Sequence, residues 1–231
     1  MLKEAIEAFK RGKPVLIYDF DNREKETDIA YPALSINPKS VSKMRKDAGG
    51  LICVSIHPLA ARKLRLPFMK DVLREAGDKI FELKQLILKN PKYDISTSFS
   101  LWVNHKDTFT GVTDRDRALT IRKIGEAVEK SLNGGKFNFF NEFISPGHVA
   151  LLRAADGLIY ERKGHTELSI ALAEMAGITP AVAICEMLDE KTGGALSKLD
   201  AMRYAEENKI PFVEGIEIVK AYKKTKSNLI T

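Results

Sequence analysis

Five carboxylates fall within ten residues of the segment YDFDNREKETD: Asp19, Asp21, Glu24, Glu26 and Asp28. Only Arg23 and Lys25 dilute them. Like charges packed this closely repel unless something positive sits among them. Magnesium suits such a place, because it takes one or two carboxylates and completes its shell with water and substrate oxygens. A loop of spaced acids also offers two roles at once, one carboxylate binding a cation while another moves protons. The plain alternative is a charged surface loop after a strand, since loops are normally polar.

A second stretch, RKGHTELSIALAEMAG, sets Arg162, Gly164, His165 and Thr166 at the start of a helix. Free N–H groups and the helix dipole favour an anion there. Gly lets a backbone approach closely, Thr can cap or donate, and Arg adds a fork of donors, which together make a phosphate site. His165 could ligate a metal. A helix cap with a surface arginine explains the same residues. In SPGHVALLRA, His148 and Arg153 follow what reads first as a turn. In ICEM, Glu186 follows a run of buried residues, where an ionised carboxylate is costly unless paired or used. If the strand ends there, Glu186 simply faces water. Cys53 and Cys185 are too few for a disulfide framework and lack zinc-site spacing, so they read as buried, reduced thiols.

The elements that must hold these groups follow from periodicity and breakers. Leu2, Ala5, Ile6 and Phe9 recur at helical spacing until Gly12 and Pro14. PVLIYDF is a strand. Asn37 and Pro38 open a helix that Gly49 and Gly50 close. LICVSI is a buried strand, closed by His57 and Pro58, with a short helix after it. Residues 67–96 fit a helix plus a long loop. STSFSLWV alternates Phe99, Leu101 and Val103, as in a half-exposed strand. A helix covers about 116–131, and HVALLRA and GLIYER read as paired strands around Asp156 and Gly157. HTELSIALAEMAG is a helix with Leu168, Ala171, Leu172 and Met175 on one face and Gly177 past its end. PAVAICEM is a strand. SKLDAMRYAEENK is a helix with a Ser-x-x-Asp cap, and a strand and a helix close the chain. Mixed β and α elements throughout predict one α+β domain over residues 1–231, a mixed sheet sandwiched by helices.

Composition narrows the class. The chain has 231 residues, 44% hydrophobic and 29% charged, which suits a globular protein with a substantial core. No apolar run approaches the roughly 20 residues of a membrane span. The first residues, MLKEAIEAFKRGK, carry acids, unlike a signal peptide, so a cytoplasmic location is expected. The net charge is +6, but Lys and Arg are spread rather than blocked, which argues against a nucleic-acid partner.

In order along the chain, DNREKETD, DAGGLICVSIHP, TFTGVTDRDRALTI, SPGHVALLRA, RKGHTELSIALAEMAG and ICEM resemble the 3,4-dihydroxy-2-butanone 4-phosphate synthase family of riboflavin biosynthesis, over roughly residues 3–222. The likeness is to the monofunctional type. A fused GTP cyclohydrolase II would need a cysteine-built zinc site, and the chain has two cysteines. The resemblance implies a fold and a reaction: an α+β sandwich that converts D-ribulose 5-phosphate to 3,4-dihydroxy-2-butanone 4-phosphate, losing the fourth carbon as formate. It implies Mg2+ or Mn2+, two ions per active site, and a homodimer with sites near the interface. It implies residue roles too. Glu24 and His165 match metal ligands, and Arg23, Glu24, Asp28, the run Arg162, Lys163, Gly164, His165 and Thr166, and Glu186 match substrate contacts. Glu24, Glu26, Asp28, Cys53, His148, Glu167 and Glu186 match the catalytic pocket, with Cys53 expected to line it rather than attack. Lys25 and Thr27 stand where many relatives have Asn and Gly, which bears on loop closure. Another metal-dependent sugar-phosphate isomerase or aldolase is the alternative, and it would release no formate.

Overall fold

The computed structural model, which describes residues 1–87, 94 and 96–227, is built on a seven-stranded mixed sheet. In chain order the strands are β1 (Val15–Tyr18), β2 (Thr27–Pro32), β3 (Cys53–Ile56), β4 (Phe99–His105), β5 (Phe143–Arg153), β6 (Ala181–Glu186) and β7 (Phe212–Glu214). They lie side by side as β4-β5-β3-β6-β2-β1-β7. β3 runs parallel to β5 and β1 parallel to β7, and the other neighbours are antiparallel. The helices are α1 (Leu2–Lys10), α2 (Pro38–Lys43), α3 (Pro58–Lys63), α4 (Met69–Ala76), α5 (Asp114–Leu132), α6 (Phe139–Glu142), α7 (His165–Met175), α8 (Lys198–Asn208) and α9 (Gly215–Ser227).

Side chains alternate across a strand, so one sheet feeds two cores. Leu16, Tyr18, Ile29, Val54 and Cys185 face a core closed by Val41 of α2, Ala60 of α3, Ile121 of α5 and Ala201 of α8. Val15, Ile17, Ala30, Cys53 and Ile184 face the other, closed by Phe9 of α1, Leu168 of α7 and Ile218 of α9. The expected helix–sheet–helix sandwich is therefore present. No helix among the described residues is long and apolar enough to cross a membrane.

Several elements differ from the expectation. The hairpin around Asp156 and Gly157 does not form: Leu158–Tyr160 is a short 3-10 turn. Both edges of β5 are taken by β3 and β4, so no partner edge is left, and Leu158 and Ile159 are buried instead. β2 is a strand that alternation conceals, because all six of its residues are buried. α7 has no solvent face at its start, since every residue from His165 to Ala173 is buried. Within 67–96, α4 and a 3-10 stretch (Phe81–Leu86) are seen, and the part of the expected loop at 88–93 and 95 lies outside the described residues.

Candidate active site

The acidic loop is organised by its first acid. Asp19 follows β1 and is buried, and its carboxylate accepts from the backbone N–H groups of Glu24 (3.0 Å) and Glu26 (3.1 Å) and from Arg23 Nη1 (3.2 Å). A short polar side chain gathering local donors in this way sets the turn. Lys25 sits in the left-handed region at φ 61°, a place an Asn takes more easily. The loop then leads into β2, whose first residues point Asp28 toward α7. Antiparallel register sets Asp28 directly opposite Glu186 of β6. Two carboxylates in that relation repel. Glu186 is steadied by accepting from the N–H of Leu51 at 2.8 Å. Gly50 makes that approach possible, because a Cβ there would meet Glu186 Oε2 at 2.4 Å.

His165, at the first turn of α7, ties helix to loop. Its Nδ1 is 3.2 Å from Glu24 Oε2, and its Nε2 is 3.2 Å from the carbonyl of Glu26 and 3.7 Å from Asp28 Oδ1. Burial would lower the imidazole, but Asp28, Glu24 and Asp19 raise it to about 9. Burial would raise Glu24, but His165 and Arg23 hold it down at about 2. Asp28 and Glu26 go the other way. Burial pushes both up, and neighbouring acids add to it, against the opposing pull of His165. One cluster thus holds an ionised carboxylate beside carboxyls poised to carry protons, the separation that acid–base chemistry uses.

Two arginines close the other side. Arg23 Nη1 reaches Glu24 Oε2 at 2.6 Å, and Arg162 Nη1 donates to Glu167 Oε2 at 2.7 Å. Both guanidinium groups also face Asp94, Arg23 through a hydrogen bond and Arg162 with Nε 2.6 Å from the same oxygen. Gly164 is the N-cap of α7, and a Cβ there would lie 2.3 Å from Arg162 Nη1 and 2.7 Å from Arg23 Nη2.

These groups surround a cavity of about 510 Å³. Arg23, Glu24, Glu26, Asp28, Cys53, Arg162, His165, Thr166 and Glu186 line it, with Ser96, Thr97, Ser98, Phe99, Leu152 and Ile184. Lys163, Gly164, Glu167 and His148 are not among the lining residues. Glu167 is wholly buried behind Arg162 and also accepts from the N–H of Ala155 at 3.0 Å. His148 stands on an exposed part of β5 against Asn104, and Arg153 donates to the carbonyl of Leu66. The Cys53 thiol lines the cavity and is pushed well up by burial and then by Glu186 and Asp28, which disfavours the nucleophilic thiolate. Asp94 was not marked by sequence, because it stands alone before the strand pattern begins, and Ser96, Thr97 and Ser98 were read only as the start of a strand; the role of Asp19 was hidden within the acid run.

Asp19, Glu24 and His165 each offer a ligand atom within 4.8 Å of the others. Asp19 already accepts from three donors, which leaves Glu24 and His165 as the better pair. Asp28 Oδ1 is buried and has no hydrogen-bond partner among the described residues. An oxygen-rich set with one imidazole and a spare buried carboxylate oxygen fits a hard divalent cation.

A cavity combining ionised and protonatable carboxylates, an imidazole and two guanidinium groups at a helix start defines an enzyme site for a small, anionic, oxygen-rich molecule. A sequence profile described as 3,4-dihydroxy-2-butanone 4-phosphate synthase matches residues 3–221. The protein of that name from Archaeoglobus fulgidus is 63% identical over 223 residues, covering 96% of this chain and 94% of its own length. That from Methanosarcina mazei is 56% identical, covering 96% of this chain and 90% of its own. A solved 3,4-dihydroxy-2-butanone 4-phosphate synthase in complex with two magnesium ions matches the fold with a TM-score of 0.79 at 25% identity, covering 97% of both chains. A cation-free form matches with a TM-score of 0.78. The chain belongs to the 3,4-dihydroxy-2-butanone 4-phosphate synthase family.

Proposed function

We propose that residues 1–231 form one catalytic domain that converts D-ribulose 5-phosphate to 3,4-dihydroxy-2-butanone 4-phosphate and formate. It works as a cytoplasmic homodimer with Mg2+ or Mn2+, two ions per site, held through Glu24 and His165. The observation that carries this reading is the split within one cavity, where Glu24 is held ionised while Asp28 and Glu26 are pushed up.

A divalent ion, when bound, supplies Lewis-acid stabilisation of oxyanion charge on the ketose, worth several kcal/mol. The chain's own residues do the rest. Arg162, just before α7, and Arg23, reaching over Gly164 from the acidic loop, hold the phosphate and so limit the reactive end to few orientations. Asp28, through its unpartnered Oδ1, and Glu26 take up and return protons as the carbon skeleton rearranges. Glu186, opposite Asp28, contacts the sugar hydroxyls while its own carboxylate is oriented by Leu51. Cys53, Leu152 and Ile184 form the apolar wall that excludes water from the reacting end. Glu167 acts behind Arg162, fixing its fork.

His148 belongs to this chemistry through the dimer. It stands beside Asn104, which pairs with Ile144 in register and packs against Gly111. Phe109, 96% exposed, and the exposed Val112 and Ile144 make this an apolar surface next to a polar side chain. A second copy seated there covers the patch and brings His148 toward a neighbouring site.

Incubation with ribulose 5-phosphate and divalent metal tests the reading. Formate is expected in equal amount to the ketose consumed. Consumption without formate would assign the chain to the isomerases or aldolases instead.

A further inference from the structure

We propose that Asp94 is a specificity-determining residue: its carboxylate stands in for the substrate's phosphate between Arg23 and Arg162, and a phosphate dianion must displace it. The inference rests on the reading of this place as the phosphate anchor.

Each arginine has a private anchor and a shared one. Arg23 Nη1 is held by Asp19 (3.2 Å) and Glu24 (2.6 Å), and Arg162 Nη1 by Glu167 (2.7 Å). Arg23 Nη2 and Arg162 Nε converge on a single oxygen, Asp94 Oδ2. All three side chains are well buried, Asp94 being 7% exposed. The shared contact is imperfect. Arg162 Nε lies 2.6 Å from Asp94 Oδ2 yet makes no aligned hydrogen bond among the described residues. One carboxylate oxygen cannot satisfy two forks, whereas a phosphate presents three oxygens and a second negative charge. The contact also sits over Gly164, at the start of an eleven-residue helix whose cap offers no side-chain acceptor. An anion placed there gains the N–H groups of the first turn as well.

Selectivity follows from the exchange. A neutral sugar has nothing to offer a buried ion pair in return for breaking it. A carboxylate brings the same charge that Asp94 already supplies from within the chain. A phosphate dianion brings more charge and more acceptors, so it alone gains by the exchange. The cost is affinity: phosphate binds only the fraction of molecules in which the arginines are released.

The test is calorimetric binding of inorganic phosphate to the metal-free protein at a pH where it is a dianion, with circular dichroism as the control for folding. Asp94→Asn should bind phosphate about tenfold more tightly than the parent, and its KM for ribulose 5-phosphate should fall. Asp94→Glu should stay near the parent. If Asp94→Asn is poorly folded, Asp94→Ser gives the same comparison. Unchanged or weakened phosphate binding in the Asn and Ser variants would overturn the inference and leave Asp94 as a support that merely orients the arginines. Arg162→Ala separates the two readings. Its loss of phosphate binding supports the anchor whatever Asp94 does, and phosphate binding that survives Arg162→Ala removes the anchor itself.

Discussion

His165 with Glu24 and His57 with Glu174 are both partly buried histidine–carboxylate pairs, at 3.2 Å and 2.9 Å. In both, burial would raise the carboxyl, and hydrogen-bond donors instead hold it down at about 2. Their surroundings differ. Glu174 Oε1 faces His57, while its Oε2 accepts from Tyr222 and pairs with Lys226 at 3.1 Å, pinning α9 to α7. One negative charge there meets enough donors. Around Glu24, among the described residues, the acids outnumber the cations: Asp19, Glu26, Asp28 and Glu186 crowd His165 and Arg23, and Asp28 keeps an oxygen with no hydrogen bond. A depressed carboxyl marks a good ion pair in either place. Surplus acid with a raised carboxyl marks the place that takes a cation and moves protons.

The largest expected effect breaks the Glu24 pair. Glu24→Ala should lower formate release by about a thousandfold while circular dichroism stays that of the parent. Near-parental turnover would erase the distinction between the two pairs. Next comes Asp28→Asn, which removes one of the two opposed acids. Formate release should fall about a hundredfold, yet the metal-free protein should melt no lower than the parent, because a repulsion is relieved. A lower Tm would mean that the Asp28 carboxylate is a net support of the fold. Arg162→Ala should raise KM for ribulose 5-phosphate about ten- to a hundredfold, given roughly 1.5–3 kcal/mol for a charge-assisted hydrogen bond. Arg162→Lys should recover part of that, since it keeps charge without the fork. Unphosphorylated ribulose, a poor substrate, should be hardly affected, and equal harm to both ketoses would contradict the anchor.

The smallest effect belongs to the satisfied pair. Glu174→Gln should leave kcat alone and cost about 2 kcal/mol of stability at neutral pH. Its folded value, about 2, lies below the ordinary 4.5. Its contribution is therefore fully present above about pH 4.5 and is lost as pH falls through about 2. Denaturant titrations at several pH values should show the parent and Glu174→Gln converging across that window. Divergence toward acid would reverse the sign of the argument.

Sequence revealed most of what local signals control. The strand before the acidic loop, the capped helices at Asn37 and Ser197, and the Gly164 helix start lie where breakers and periodicity put them. It missed what depends on partners distant in the chain. β2 is buried on both faces and begins with Thr27 and Asp28, so neither alternation nor composition marks it. The false hairpin looked sound locally, and only the occupied edges of β5 exclude it. At the site, residue types exposed the acids, His165 and Arg162. The opposition of Asp28 to Glu186 is a property of strand register, and the reach of Asp94 to two arginines is a property of tertiary folding. Neither is written in spacing.

Manganese binding read by electron paramagnetic resonance, on the parent, Glu24→Ala and Glu174→Gln without substrate, tests the contrast between the two pairs most directly. The parent and Glu174→Gln should bind Mn2+ with the same affinity, and Glu24→Ala should bind it about a hundredfold more weakly or not at all. Undiminished binding by Glu24→Ala, or binding lost with Glu174→Gln, would contradict the assignment of the cation to the acid-rich pair.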